Sequence, residues 1–207
     1  MIEAFEKRVS VRNYTEAPVK KEDIEQMLEA VQLAPSGKNR QNWHFVIVES
    51  RNVIEEIEAL IRKKNQILAE GIEDPDKKRK FEKFLDFALI FKRAPVTVLV
   101  FASDYQSTAL EEMRAVGLIE EATQLEGTAP GIQNIGAAME HFCLAAADLG
   151  YGTCWMTSPN YAAKEIQEAL PIDLSGFHLV AMTPLGVASQ IGVRPKRKKI
   201  EEISSWI

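Results

Sequence analysis

A chain of 207 residues that is 46% hydrophobic and 27% charged carries enough apolar material for a full core, which excludes a disordered chain. No apolar run approaches the ~20 residues of a membrane-spanning helix. The opening Met1-Ile2-Glu3-Ala4-Phe5-Glu6 lacks the basic start and apolar stretch of a secretory signal, so no membrane partner and a cytoplasmic setting are expected. A formal net charge of -5 argues against nucleic acid as a partner, and it makes the cluster Arg194, Lys196, Arg197, Lys198, Lys199 conspicuous.

Taken in order, Ile2 to Lys7 reads as a short helix leading into an extended Arg8-Val9-Ser10-Val11-Arg12-Asn13-Tyr14. In an extended segment every second residue shares a side, so Arg8, Ser10 and Arg12 form one row while Val9 and Val11 face the other way. Two forked cations flanking a hydroxyl, backed by an apolar row, match a phosphate's needs. The same alternation also fits an edge strand with two solvated arginines.

Lys21 to Leu33 is an amphipathic helix, with Ile24, Met27, Leu28 and Val31 at helical spacing and Pro35 closing the element. The polar loop Pro35 to Asn42 then precedes an apolar strand, Trp43 to Val48. A loop rich in small and amide side chains between two firm elements is a place for ligand contacts, or an ordinary connection. Arg51 to Leu68 and Lys77 to Arg93 are two successive helices broken at Gly71 and Asp74-Pro75, a helical excursion over about 51–93. On the second, Phe81, Phe84, Leu85, Ala88 and Leu89 make the apolar face. Pro95 to Ala102 is apolar on both faces, hence central in a sheet.

Ser103 to Pro130 is less regular. A short helix over Leu110 to Glu121 is expected, with Gly127 and Gly131 bracketing a turn. Gly131 to Leu149 is apolar on most sides, and such a helix is covered on most sides, here by a sheet and a second subunit. Gly150 caps it, Gly152 to Met156 gives a third strand, Tyr161 to Leu170 another helix, and Phe177 to Thr183 a last strand ending at Pro184-Leu185-Gly186. No internal repeat or low-complexity tract divides the chain, so 1–207 reads as a single domain.

Cys143 and Cys154 show no CxxC spacing and no partner set for zinc, so both read as buried thiols and no metal is expected. His44, His141 and His178 stand in apolar surroundings and read as core residues. GxSxG, HExxH, P-loop and GxGxxG motifs are all absent. With no set of catalytic side chains, the pattern favours a cofactor that brings its own chemistry.

Five segments occur in a telling order: R-x-S-x-R at Arg8 to Arg12; A-P-S-x-x-N-x-Q-x-W at Ala34 to Trp43; an alanine-rich helix running into L-G-x-G-T-C-W, at Ala145 to Trp155; Leu185-Gly186 at a strand end; and a basic cluster running into an E-E-I tail at Lys196 to Ile203. The ordered set resembles the FMN-dependent nitroreductase family over nearly the whole chain. That resemblance implies an α+β fold, a central mixed β-sheet flanked by helices, in a homodimer with FMN at the subunit interface. It implies that Arg8, Ser10 and Arg12 hold the FMN phosphate and part of the ring, with Val9 inside the segment, and that Lys196 and Arg197 close on the phosphate. Pro35, Ser36, Gly37, Asn39 and Gln41 would reach the flavin of the other subunit. Thr157 and Ser158 would face the flavin edge, and because Pro159 has no N–H the donor is one of those two. Leu185 and Gly186 would supply backbone contacts.

The implied activity is hydride transfer from NADH or NADPH through FMN to a nitroaromatic, quinone or related acceptor by a ping-pong route. Flavin-fragmenting or dehalogenating relatives, and an FMN store or carrier, are the alternatives. Two departures stand out. Gln41-Asn42-Trp43 replaces the family's frequent Gln-Pro-Trp, and Pro195-Lys196-Arg197 replaces Lys-Pro-Arg, which leaves Lys196, Arg197 and Lys198 as rival phosphate ligands.

Overall fold

The computed structural model describes residues 2–192 and 194–207. In chain order the elements are α1 (Glu3–Lys7), α2 (Lys21–Gln32), β1 (Trp43–Val48), α3 (Arg51–Glu70), α4 (Pro75–Ala88), β2 (Val96–Ser103), α5 (Leu110–Ala115), α6 (Ile119–Gly127), α7 (Pro130–Asp148), β3 (Gly152–Thr153), α8 (Ala163–Ala169) and β4 (Phe177–Gly186). The strands form an antiparallel sheet in the order β1-β2-β4-β3. A parallel bridge from Ser10 to Thr153 adds the N-terminal segment outside β3, which makes the sheet mixed.

The largely apolar sequence of β2 suits its place between β1 and β4, with Val96 to Ala102 fully buried. Its two-residue period splits the core. Val96, Val98 and Val100 pack with Met27, Val31, Met139 and Phe142 of α2 and α7. Leu99 and Phe101 pack with Ile54, Ile57, Ile61 and Ile166 of α3 and α8 on the opposite face. On α7 the apolar residues Ile135, Ala138, Met139, Phe142 and Ala146 recur at helical spacing and are buried.

Several local expectations are corrected. The expected helix over Leu110 to Glu121 is two helices, α5 and α6, because Gly117 adopts a left-handed conformation between them (φ 85°). The third strand is two residues long: the Cys154 N–H turns to the buried Thr183 hydroxyl at 3.0 Å, and pairing resumes only as a bridge from Met156 to Met182. The helix expected from Tyr161 opens as a 3₁₀ turn, Ser158–Ala162, and the one expected through Arg93 ends at Ala88 before a 3₁₀ turn. Phe84 is exposed rather than core-facing and stacks loosely on Phe87, with ring centroids 6.3 Å apart. His44 and His178 are exposed, because they sit toward strand ends where the helices no longer cover the sheet; His141 is half-buried with Nδ1 2.9 Å from the Ala30 carbonyl. Both thiols are buried and unpaired.

One glycine fixes the seat of the N-terminal segment. A Cβ at Gly152 would fall 2.6 Å from Val11 Cγ2 and 2.7 Å from its Cβ, so the side chain of Val11 fills the notch that glycine leaves. Gly152→Ala is expected to cost roughly 1–3 kcal/mol of unfolding free energy in a urea titration. Adding Val11→Gly, which takes away the Cβ as well as both methyls, is expected to remove that clash, giving a double variant that loses less than the two single losses added together.

Candidate functional site

The site begins with the extended segment after α1. Val11 N–H donates to the Thr153 carbonyl at 2.8 Å, and the Tyr14 hydroxyl donates back to the Val11 carbonyl at 2.6 Å. Farther on, Thr15 N–H bonds the Val187 carbonyl and Ser189 N–H bonds the Asn13 carbonyl, so the start and the end of the chain run side by side. With Val11 turned inward and buried, Arg8, Ser10 and Arg12 are turned outward.

They line a cavity of about 310 Å³ with Val9, Arg194, Pro195 and Arg197. Four arginines thus line one cavity together with Ser10. Arg8 is steadied by Glu140 of α7 (Nε to Oε1 3.8 Å), and Arg12 bonds the Ser10 carbonyl at 3.3 Å. Arg93 donates to the Arg12 carbonyl at 3.3 Å, bracing the segment from behind. Lys196 is not part of this wall; Arg197 and Arg194 are. Arg194 was visible in the basic cluster but had no assigned role, and Arg93 and Glu140 come from distant elements, with no signal in the local sequence.

Cys154 lies beneath the pocket, its thiol against the Ser10 hydroxyl. Burial pushes the Cys154 thiol above its ordinary value, against smaller opposing effects of Arg12 and Ser10. Burial also pushes Cys143 from 9.0 up to about 11, offset in part by a hydrogen bond from Thr153. The Tyr14 phenol is raised too, chiefly by burial. Both thiols are therefore neutral in the folded chain.

The second group is the loop Pro35 to Gln41, where Lys38, Asn39 and Gln41 all take left-handed conformations (φ 55°, 49° and 44°). Such backbone costs an L-residue roughly 1–2 kcal/mol each, so the surroundings must hold it. The Ser36 hydroxyl accepts from Gln41 N–H at 3.0 Å, Gln41 Nε2 donates to Asn39 Oδ1 at 3.2 Å, and Gly37 N–H donates to Asn134 Oδ1 at 3.0 Å. Gly37 has no room for a side chain, because the Tyr105 hydroxyl occupies the Cβ position. Asn42, Asn134 and Tyr105 were not assigned from sequence; the replaced proline at position 42 was the one available signal.

The loop is tethered to α7 at Asn134 and the arginine pocket touches it at Glu140. Six residues of helix separate those points by roughly 9 Å, and the two groups line no common cavity among those described. Thr157 is exposed and Ser158 half-buried, just past the Met156 to Met182 bridge. Asn160 pins that turn by donating to the Val180 carbonyl at 2.6 Å. Leu185 and Gly186 are buried in β4 opposite Thr153 and Gly152, and a Cβ on Gly186 would meet Pro95 Cδ at 2.7 Å. They form part of the sheet behind the pocket rather than its wall.

The raised thiols carry a prediction. Cys143 and Cys154 should resist alkylation by iodoacetamide at pH 8 in the folded protein and react fully in denaturant. Because the folded-state values are raised, the unfolded chain gives up its thiol protons first as the pH climbs. Stability should therefore be unaffected below about pH 8.5 and fall progressively toward pH 11, the direction a urea titration at several pH values would read.

The nitroreductase family model matches residues 5–187. The crystal structure of a BluB-like flavoprotein from Clostridium difficile is 39% identical, with a TM-score of 0.93 over 99% of this chain and 97% of that one. A nitroreductase with bound FMN from Desulfitobacterium hafniense shares the fold at 20% identity, with a TM-score of 0.71 over 100% and 99% of the two chains. A putative NADH dehydrogenase/NAD(P)H nitroreductase of Archaeoglobus fulgidus is 26% identical across 149 residues, 72% of this chain. The match spans 62% of that relative's own length. No helix among the described residues is long and apolar enough to cross a membrane. A match over most of the chain and close likeness to a solved flavoprotein make this protein a member of the nitroreductase family.

Proposed function

We propose that this chain, as a single domain, binds FMN with its phosphate in the arginine pocket and acts as an FMN-dependent oxidoreductase. The observation that carries the reading is that Arg8, Arg12, Arg194 and Arg197 line one cavity with Ser10. A phosphate monoester is nearly dianionic at pH 7 and offers three acceptor oxygens, which forked donors satisfy well. When bound, FMN supplies the ring that takes up and gives out electrons, chemistry absent from the side chains described.

The protein's part is binding, orientation and charge. Glu140 aims Arg8, and Arg93 and the Thr153 bond hold the backbone of the clamp. In this reading the N–H of Thr157 or of Ser158 donates toward the ring, favouring its reduced, more anionic form. None of the Pro35 to Gln41 loop lines the arginine cavity of its own chain, and in this reading the loop serves the site of a second copy. Homodimerisation is further supported near the end of the chain: Ile191, Ile200, Ile203 and Trp206 are exposed in the single chain, apolar side chains of the kind a partner covers.

The electron donor proposed is NADH or NADPH. For the chemistry that follows, the 39% likeness to a BluB-like flavoprotein supports the flavin-fragmenting alternative over reduction of a nitroaromatic or quinone.

FMN titrated into the purified protein should bind tightly. Arg12→Ala should weaken it by roughly one to two orders of magnitude, the equivalent of a lost charge-assisted contact of about 1.5–3 kcal/mol. NAD(P)H with oxygen and no other acceptor should then cause irreversible loss of the flavin's visible absorption. Rapid turnover of a nitroaromatic with the flavin preserved would restore the nitroreductase reading. A protein that does not bind FMN at all would end both.

A further inference from the structure

Two buried amides stand outside the arginine pocket. Asn42, at the start of β1, is 4% exposed and Asn134, in the first turns of α7, is 7% exposed. We infer that Asn134, locked in orientation by Asn42, is the positioning residue for the strained Ser36 to Gln41 loop and so sets how that loop meets the flavin ring. The inference rests on the FMN-binding reading above.

The orientation follows step by step from donor and acceptor chemistry. Asn42 Nδ2 lies 3.2 Å from each of two carbonyl oxygens, those of Ser103 and Gly131. A carbonyl only accepts, so the NH₂ of Asn42 must point there, and its Oδ1 must point away. That oxygen lies 2.8 Å from Asn134 Nδ2, which fixes the amide of Asn134 as well. Asn134 Oδ1 is left facing Gly37 N–H at 3.0 Å. Two rigid elements, β2 through Ser103 and α7 through Gly131, therefore dictate the position of one backbone N–H in the loop. Flipping either amide would set donors against donors or acceptors against acceptors in a buried place.

The loop needs such a tether. Lys38 and Asn39, the two residues after Gly37, are left-handed, as is Gln41 just before Asn42. Tyr105 closes the other side, packing where a Cβ on Gly37 would be and 2.6 Å from where one on Gly131 would be, so the loop cannot slide toward α7. Asn42 occupies the position that the family often fills with proline. Here the side-chain hydrogen bonds supply the rigidity that a proline ring would otherwise contribute at that point.

The test compares FMN with riboflavin, which has the ring but no phosphate. Asn134→Leu removes the acceptor for Gly37 N–H; in Asn134→Asp the protonated carboxyl still donates to Asn42 Oδ1 and accepts from Gly37 N–H, whereas the ionised carboxylate sets an acceptor against Asn42 Oδ1. Titration by flavin fluorescence should show Asn134→Leu weakening both ligands by about tenfold, leaving the FMN-to-riboflavin affinity ratio unchanged, and Asn134→Asp staying within about threefold of wild type at about pH 5 but losing about tenfold at about pH 8. Arg12→Ala should do the opposite, lowering the ratio. Should the leucine variant fail to fold, Asn134→Ala, which leaves space for water, is read the same way. Equal losses for the aspartate and leucine (or alanine) variants at about pH 5, unchanged affinities, or a loss confined to FMN would each overturn the inference. A wild-type protein that binds neither flavin would instead remove the FMN reading on which it stands.

Discussion

The structure depends most on how the extended N-terminal segment is fastened to the sheet. One backbone hydrogen bond, Val11 N–H to the Thr153 carbonyl, and one steric fit, Val11 in the notch of Gly152, hold it there. Because strand residues alternate, placing Val11 inward places Ser10 and Arg12 outward without further instruction. The buried β4 residues Leu185 and Gly186 stand behind β3 and transmit that position from the central strands. Disturbing the notch would move charge at the pocket as well as atoms in the core.

Around this seat, the chain gathers charge that its composition does not advertise. An overall charge of -5 surrounds a pocket lined by four arginines, with Glu140 the carboxylate that pairs with one of them. Such a concentration of like charge is self-repulsive and is sustained by a bound anion better than by solvent. Strain is placed in the same economical way. The left-handed residues cluster in the Pro35 to Gln41 loop, and others occur at Ala109 and Ala129, which flank the α5–α6 segment. The core strands are free of them.

Much of this was legible in the sequence, for physical reasons that are themselves local. The alternation Arg8, Ser10, Arg12 announced one face of an extended segment; the run of β2, apolar but for Thr97 and the terminal Ser103, announced a central strand; the 3–4 spacing on α7 announced a buried helix. What escaped was set by tertiary context. His44 and His178 look like core residues in their runs, and only the reach of the flanking helices leaves them exposed. Gly117 splits a helix whose periodicity continues across it. Asn42 and Asn134 are 92 positions apart, so their pairing has no local signature, and nothing in the basic cluster itself tells that Arg194 rather than Lys196 lines the pocket. The order of motifs was specific to a family, whereas the chemistry within that family was not written in any motif.

The central claim is that the arginine pocket holds the phosphate of FMN as a dianion, and phosphorus NMR addresses it directly. Free FMN takes up a phosphate proton near about pH 6. A phosphate seated among Arg8, Arg12, Arg194 and Arg197 has its protonated form strongly disfavoured, so the ³¹P resonance of protein-bound FMN should keep one position between about pH 5 and about pH 8. A bound resonance that titrates near pH 6, as in free solution, would mean that the phosphate lies outside the pocket and would contradict the account.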